Sequence, residues 1–184
     1  MRYVFLDVDG VLNCRYTKNE PGKGCVNMSA AFGCENTRIL QTILERFYEK
    51  YGKDQIKLVL SSSWRVGKDR YEYSMRSTLD EYLNQEGIYI DDEIPYLPYE
   101  YSRGAEIVAY LSTCDDVEGY IVLDDDQFDD FYKYRITRHL VRTSYEPQSG
   151  AGGLQKRHIK AAMRMMEKPV KEDERTIIRE FSII

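Results

Sequence analysis

Short apolar runs alternate along the chain with longer stretches in which apolar residues recur every three or four positions. The runs Tyr3–Leu6, Ile56–Leu60 and Tyr120–Leu123 predict buried β-strands, because polar or turn-forming residues bound each of them. Shorter runs at Ile88–Ile90 and His139–Val141 predict two further strands. Strands that are apolar throughout are typical of a parallel sheet covered on both faces.

Amphipathic spacing predicts helices between and after these strands. They cover residues 36–51, residues 68–86, a segment that begins near Ser102, and about Leu154 to Glu167. Because strands and amphipathic helices alternate, the fold class is predicted to be α/β, with a three-layer, Rossmann-like parallel sheet.

The predicted domain covers residues 1–167, and residues 168–184 form a charged C-terminal tail that follows the helix break at Pro169. Residues 14–34 are rich in Gly, Asn and Lys and predict a small flap, and residues 91–101 predict a loop. The intervals between strands have space for helices but not for a large second domain. We therefore expect little or no cap and an open site.

Polar side chains follow three of the predicted strands. Asp7 and Asp9 follow the first strand and point to the same side of it, Ser61 follows the second, and Asp124 and Asp125 follow the strand at 120–123. In a parallel α/β sheet the carboxyl ends of the strands meet at one edge, where ligands bind. Carboxylates gathered there repel one another unless a proton or a cation joins them, and a divalent metal with oxygen ligands is the usual solution.

Composition excludes several other classes. The 184-residue chain has a net charge of −5, so any contact with nucleic acid should be local rather than spread over a basic surface. Two histidines and four cysteines without a Cys-x-x-Cys pair argue against a zinc site. No apolar run approaches membrane length and nothing before Tyr3 resembles a signal peptide, so we expect a cytoplasmic protein with no membrane contact.

The stretch Phe5-Leu-Asp-Val-Asp-Gly-Val-Leu-Asn13 resembles motif I of the haloacid dehalogenase (HAD) superfamily, whose members are mostly phosphatases. The resemblance implies that Asp7 attacks phosphorus and that Asp9 is the general acid/base. Ser61 matches motif II, whose hydroxyl holds a phosphoryl oxygen, and the adjacent Ser62 is the alternative.

The acids after Leu123 match motif IV of the same superfamily. The resemblance implies an Mg²⁺ site with Asp125 as a ligand by register, and with Asp124 and Asp129 as supporting ligands or partners of metal-bound water. One oxygen of Asp7 and the backbone carbonyl of Asp9 complete the protein ligands that the resemblance implies.

Arg103, at the start of a predicted helix, matches motif III, a cation that would neutralise charge on the nucleophile and the phosphoryl group. Arg65 has two interpretations. It is a second contact to phosphate or to a nucleic-acid backbone, or it forms a structural ion pair while the neighbouring Trp64 packs in the core.

Finer features resemble the HAD domain of Swiss-army-knife RNA repair proteins. The matching pieces are Leu60-Ser-Ser-Ser-Trp-Arg65, Arg103-Gly-Ala-Glu-Ile107 and Ile121-Val-Leu-Asp-Asp-Asp126, and the resemblance covers residues 1 to about 167. It implies a polynucleotide-end or nucleotide phosphatase in RNA repair.

The expected activity is hydrolysis of phosphomonoesters through an aspartyl-phosphate, with Mg²⁺ as cofactor and RNA or DNA ends or nucleotides as substrates. Two alternatives stay open. One is a general phosphatase for small molecules or phosphoproteins, and the other is a non-catalytic binding module with the HAD fold. The sequence does not indicate an oligomeric state.

Overall fold

The computed structural model of the protein describes residues 1–14, 34–65, 75–97, 102–146 and 152–181. The strands are β1 (Arg2–Leu6), β2 (Ile56–Leu60), β3 (Asp92–Glu93), β4 (Gly119–Asp124) and β5 (Leu140–Arg142). The α-helices of the described segments are α1 (Cys34–Tyr51), α2 (Met75–Gln85), α3 (Arg103–Ser112), α4 (Asp130–Lys133), α5 (Lys156–Met166) and α6 (Glu172–Arg179).

The strands form one parallel sheet in the order β3-β2-β1-β4-β5. The chain builds outwards from β1 to β3 and then returns to place β4 on the other side of β1. The strand order therefore reverses beside β1, and this is the position at which parallel α/β sheets bind ligands. The predicted α/β fold with a parallel, Rossmann-like sheet is confirmed.

Side chains of the sheet alternate between two apolar cores. Val4 and Leu6 of β1 pack with α1, α2 and α5 on one face, whereas Tyr3 and Phe5 pack with α3, α4 and α6 on the other. Connections between parallel strands are right-handed, so the change in the direction of sheet growth moves the helices after β3 to the opposite face. The result is a three-layer arrangement with both faces of the sheet covered.

One strand lies later in the chain than the sequence predicts. The predicted strand at Ile88–Ile90 is wrong, and β3 lies inside the predicted loop 91–101. Ile88 is instead buried just after α2, where its N–H donates to the carbonyl of Leu83 at 2.9 Å. The chain meets the edge of β2 only at Asp91, whose N–H donates to a carbonyl of that strand at 2.9 Å. The apolar run reflects packing after a helix, not strand pairing.

The segment predicted as a charged tail contains a docked helix. Val170 and Ile178, before and within α6, are buried in the core that contains α3. Most of the predicted flap at 14–34, and residues 182–184, lie outside the described residues. In the segments that the structure does describe, no helix is long and apolar enough to cross a membrane.

Candidate active site

The site lies at the carboxyl ends of the three central strands. Hydrogen bonds of the sheet continue one residue beyond β1 and bring these ends into line, since Asp7 N–H donates to the carbonyl of Leu123 at 3.0 Å and Ser61 N–H donates to the carbonyl of Leu6 at 2.8 Å. Asp124 is the last residue of β4. The sheet thus places Asp7 between Ser61 and Asp124, as expected from the strand ends.

Three carboxylates form the acidic centre of the site. Ligand oxygens of Asp7, Asp124 and Asp125 lie within 4.8 Å of one another. Burial and then the charge of Asp7 raise the pKa of Asp124 to about 8, and the same two causes raise the pKa of Asp125. Burial also raises the pKa of Asp7, although the charge of Arg103 and a hydrogen bond from Ser62 act in the opposite direction. The protein alone therefore does not hold all three carboxylates ionised.

The oxygens of this cluster suit a hard divalent cation. Asp124 uses Oδ1 to accept the N–H of Asp126 at 2.9 Å. Its buried Oδ2 has no hydrogen-bond partner among the described residues. Magnesium prefers carboxylate oxygens and water, and a dication would offset the repulsion that raises the carboxylate pKa values. The residues present therefore fit the predicted metal.

Gly10 allows the loop after β4 to approach the loop after β1. It has φ of 78°, and a Cβ built there would lie 2.2 Å from Cγ of Asp125. The carbonyl of Gly10 accepts a hydrogen bond from Oγ1 of buried Thr143 at 2.6 Å. A side chain at position 10 would therefore push Asp125 away from the other two carboxylates.

Arg103 is the cation of the acidic centre. It is the first residue of α3, and its Nη1 lies 3.2 Å from Oδ1 of Asp7 and 3.5 Å from Oδ2 of Asp124. The start of its helix is fixed by Asp130 of α4, whose carboxylate accepts the N–H groups of Gly104 at 3.1 Å and Ala105 at 2.9 Å. Sequence reasoning located Arg103 at this helix start but missed Asp130, because this cap comes from a different helix.

Arg65 lies in the turn that follows β2, at the same end of the sheet as the acidic centre, and it forms a buried ion pair. Its Nη2 is 2.6 Å from Oε2 of Glu106, and its Nη1 donates to the carbonyl of Ser62 at 2.7 Å. The same oxygen of Glu106 is 3.8 Å from Nε of Arg103, so one buried carboxylate lies between two guanidinium groups. Of the two interpretations of Arg65, the ion pair is present in the structure. A contact of Arg65 with phosphate stays a prediction.

The two candidate serines are both buried but differ in their partners. Ser62 donates a hydrogen bond to the carboxylate of Asp7, and its Oγ accepts the backbone N–H of Trp64 at 3.4 Å. Oγ of Ser61 is buried without a hydrogen-bond partner in the described part of the chain. The hydroxyl of Ser62 therefore contacts Asp7, and a contact of either serine with a phosphoryl oxygen stays a prediction.

Asp9 lies outside the three-carboxylate cluster and has its own partners. Its Oδ2 accepts Nε1–H of Trp64 at 2.8 Å, and its Oδ1 accepts Nδ2–H of Asn13 at 3.0 Å. Trp64 also packs in the core, as one interpretation of the sequence predicts, but its contact with Asp9 was not foreseen. The sequence signal that could have indicated this contact was the position of Trp64 just after the serines of the predicted motif II.

Asp129, a predicted supporting ligand of the metal, is an exposed residue directly before α4. It is not a member of the acidic cluster found among the described residues. Its role as a supporting ligand stays a prediction.

Comparison with known proteins agrees with this geometry. A parallel sheet whose strand order reverses beside β1, with carboxylates after β1 and β4, defines a Rossmann-like protein with a HAD-type site. The sequence model of one family, described as the HAD domain in Swiss Army Knife RNA repair proteins, matches residues 3–158, and the chain belongs to this family. It is accordingly a hydrolase of the HAD type, and the resemblance predicted from the sequence is confirmed. No curated protein and no solved structure matches the chain significantly.

Proposed function

We propose that this protein is an Mg²⁺-dependent phosphomonoesterase that works through an aspartyl-phosphate on Asp7 and acts on nucleic-acid ends or nucleotides. The observation that carries the proposal is the position of Asp7. It is a buried carboxylate that lies 3.2 Å from Nη1 of Arg103 and within 4.8 Å of ligand oxygens of Asp124 and Asp125.

Asp7, Asp124 and Asp125 would hold the metal ion, as their oxygen donors and raised pKa values favour. When bound, Mg²⁺ supplies positive charge that keeps these carboxylates ionised and offsets charge on the phosphoryl group. Arg103 adds a positive charge beside Asp7, since its Nη1 lies 3.2 Å from Oδ1 of that carboxylate.

The reaction follows from the roles of Asp7 and Asp9. A carboxylate oxygen of Asp7 attacks phosphorus, and the bond from phosphorus to the leaving oxygen breaks. Asp9 gives its proton to that leaving oxygen. In the second step, Asp9 accepts a proton from water as the water attacks phosphorus, and the carboxylate of Asp7 is released.

The nucleic-acid part of the proposal is supported by the family, whose description places its HAD domains in RNA repair proteins. The net charge of −5 fits recognition of a phosphorylated end, in which few contacts to the rest of the polymer are needed, better than tracking of a long strand.

The test is phosphate release with and without Mg²⁺ from 3′- and 5′-phosphorylated RNA and DNA oligomers, nucleotides, an aryl phosphate and a phosphopeptide. We expect turnover that favours oligomer ends or nucleotides and that EDTA abolishes. Asp7→Asn should remove turnover without unfolding, and Asp126→Asn, which changes an exposed acid outside the three-carboxylate cluster, should not.

Different results would redirect the proposal. Preference for the aryl phosphate or the phosphopeptide would favour a general phosphatase. Turnover by Asp7→Asn near the wild-type rate would refute the nucleophile assignment. Metal binding without turnover of any substrate would favour a non-catalytic binding module.

A further inference from the structure

Two side chains from different parts of the chain hold the carboxylate of Asp9. Nε1–H of Trp64 donates to Oδ2 at 2.8 Å, and Nδ2–H of Asn13 donates to Oδ1 at 3.0 Å. Asn13 is itself fixed, because its Oδ1 accepts the N–H of Gly10 at 3.2 Å. Both donors are buried, with exposed fractions of 7% for Trp64 and 0% for Asn13.

The indole of Trp64 is held so that its N–H has little freedom to turn away. It lies in the 3₁₀ turn Ser63–Arg65 that follows β2, and its ring packs in the core beside α1 and α2. The next residue, Arg65, ties the same turn to α3 through its ion pair with Glu106 at 2.6 Å. The direction of the donated hydrogen bond is therefore set by the turn after β2, by the core around the indole and by the tie to α3.

Accepting hydrogen bonds is compatible with acid/base catalysis by Asp9. Each oxygen of a carboxylate has two lone pairs, and a carboxylate that is held by hydrogen bonds can exchange a proton with a leaving group. A general acid must lie within hydrogen-bond reach of the atom that it protonates, so a carboxylate that turns freely would lose part of its efficiency.

We propose that Trp64 is a positioning residue for Asp9, and that its indole N–H orients the carboxylate for proton transfer to the leaving oxygen, with Asn13 as the second support. This inference rests on the proposed function, in which Asp9 is the general acid/base. It assigns a role to the Trp of the Ser-Ser-Ser-Trp-Arg segment beyond its packing in the core.

Leaving-group dependence separates positioning from a structural role. An aryl phosphate with an acidic phenol as leaving group needs little protonation, whereas an alkyl phosphate needs a well-placed acid. The later hydrolysis of the aspartyl-phosphate is common to both substrates, so the quantity to compare is kcat/KM, which reports the step that releases the leaving oxygen. In Trp64→Phe, which keeps an aromatic ring and loses the N–H, we expect kcat/KM to fall at least about 10-fold more for the alkyl than for the aryl substrate. Equal losses for both substrates would overturn the proposal.

A second variant guards against misfolding of the first. Asn13→Ala removes the other donor, and it should show the same selective loss for the alkyl substrate, to a smaller extent. The melting temperature of each variant is measured alongside. If neither properly folded variant discriminates between the two leaving groups, the positioning role is wrong.

A readout that does not depend on activity comes from the fact that the chain has one tryptophan. Its indole N–H gives a single resonance in a ¹H–¹⁵N NMR spectrum, and a hydrogen bond to a carboxylate should place it downfield. We expect this resonance to move upfield in Asp9→Ala and to stay in place in Asp126→Ala. An unchanged resonance in Asp9→Ala would overturn the contact itself.

These two readouts distinguish failure of the inference from failure of the proposed function. Wild-type turnover with equal losses in Trp64→Phe refutes the inference and leaves the function standing. No wild-type turnover on any substrate refutes the function and, with it, the role of Asp9 that the inference needs, even where the NMR contact is present.

Discussion

Buried charges at the site are matched residue by residue. Glu106 has an exposed fraction of only 7%, and its Oε2 lies 2.6 Å from Nη2 of Arg65 and 3.8 Å from Nε of Arg103. Removing one partner of a buried ion pair leaves an uncompensated charge, which costs more than the pair contributes. We therefore expect the charge of Glu106 to contribute both to the stability of the fold and to the position of Arg103.

We expect Glu106→Gln to lower the free energy of unfolding by about 3 kcal/mol, because Arg65 would stay buried without its counter-charge. Urea unfolding measures this change. Glu167→Gln is the matched control, since Glu167 pairs with Lys50 on the exposed surface and should show no measurable effect. A loss in Glu106→Gln as small as that of the control would contradict the buried ion pair.

Gly10 offers a test of the contact between two site loops. Gly10 and Gly87 both have positive φ, 78° and 72°, but a Cβ at Gly10 would collide with Asp125, whereas nothing lies within 4 Å of one at Gly87. Left-handed backbone costs a residue with a side chain roughly 1–2 kcal/mol, and this cost is common to both positions. Any further effect at Gly10 comes from the collision.

We expect Gly87→Ala to lower the free energy of unfolding by about 1 kcal/mol and Gly10→Ala by about 3 kcal/mol. The proposed Mg²⁺ site predicts that added Mg²⁺ raises the melting temperature, and of the two variants only Gly10→Ala should weaken this rise. Thermal unfolding of both variants over a series of Mg²⁺ concentrations measures both effects. Equal behaviour of the two variants would show that the loops do not meet as described.

At the scale of secondary structure, helix α5 begins with a cap that depends on pH. The N–H of Gln155 donates to Nδ1 of His158 at 2.9 Å, and this bond requires an imidazole that is unprotonated at Nδ1. Burial, and then the charge of Arg157, lower the pKa of His158 to about 4. In the unfolded chain the pKa returns to the ordinary value of about 6.5.

Between pH 6.5 and 4 the unfolded chain therefore binds a proton at position 158 that the folded chain does not. The free energy of unfolding should fall as the pH falls through this window, by about 2 kcal/mol in total from His158. His158→Gln should remove this part of the pH dependence, because glutamine accepts the same capping hydrogen bond without titrating.

Urea unfolding of wild type and His158→Gln at several pH values between 7.5 and 4 measures the difference. Carboxylates contribute the same pH dependence of the free energy of unfolding to both proteins. The difference between the two pH profiles therefore isolates the contribution of His158. Parallel pH profiles would mean that the histidine is not held neutral by the fold.

At the scale of the whole molecule, α6 is joined to the sheet through a buried pair. Nε2 of His139 lies 3.0 Å from Oε1 of Glu174, and Nδ1 lies 3.0 Å from the carbonyl of Tyr120, to which it donates. Burial acts to raise the pKa of Glu174, but hydrogen bonds from His139 and from the N–H of Lys171 outweigh it, so the pKa is lowered. Glu174 therefore stabilises the fold at neutral pH and loses this effect as the pH falls through its pKa.

We expect Glu174→Ala to lower the free energy of unfolding by about 3 kcal/mol, because the side chain is buried and paired. Glu172→Ala changes an exposed residue of the same helix and should have little effect. Chemical unfolding of both variants gives the comparison. Similar small losses in both would mean that α6 contributes little to the domain.

The sequence by itself determined the class of fold and the ends of its main strands. Apolar runs and helical periodicity are local patterns, and burial on both faces of the sheet requires them, so they can be read without a structure. The positions of Asp7, Ser61, Asp124 and Arg103 could be located for this reason, since each follows directly from where a strand ends or a helix begins, and their roles stay predictions. The short strand β3 could not be located in this way, because its pairing depends on where the chain meets the edge of β2.

Only the tertiary structure decided which side chains hold these residues in place. Trp64 lies 55 positions from Asp9, and Glu174 lies 35 positions from His139. Partners so distant in the chain leave no periodic signal, because their contact depends on how the sheet and both helical layers pack. The types of residue at the site follow from local sequence patterns. The orientation of their side chains and the balance of their charges follow from packing between elements that lie far apart in the chain.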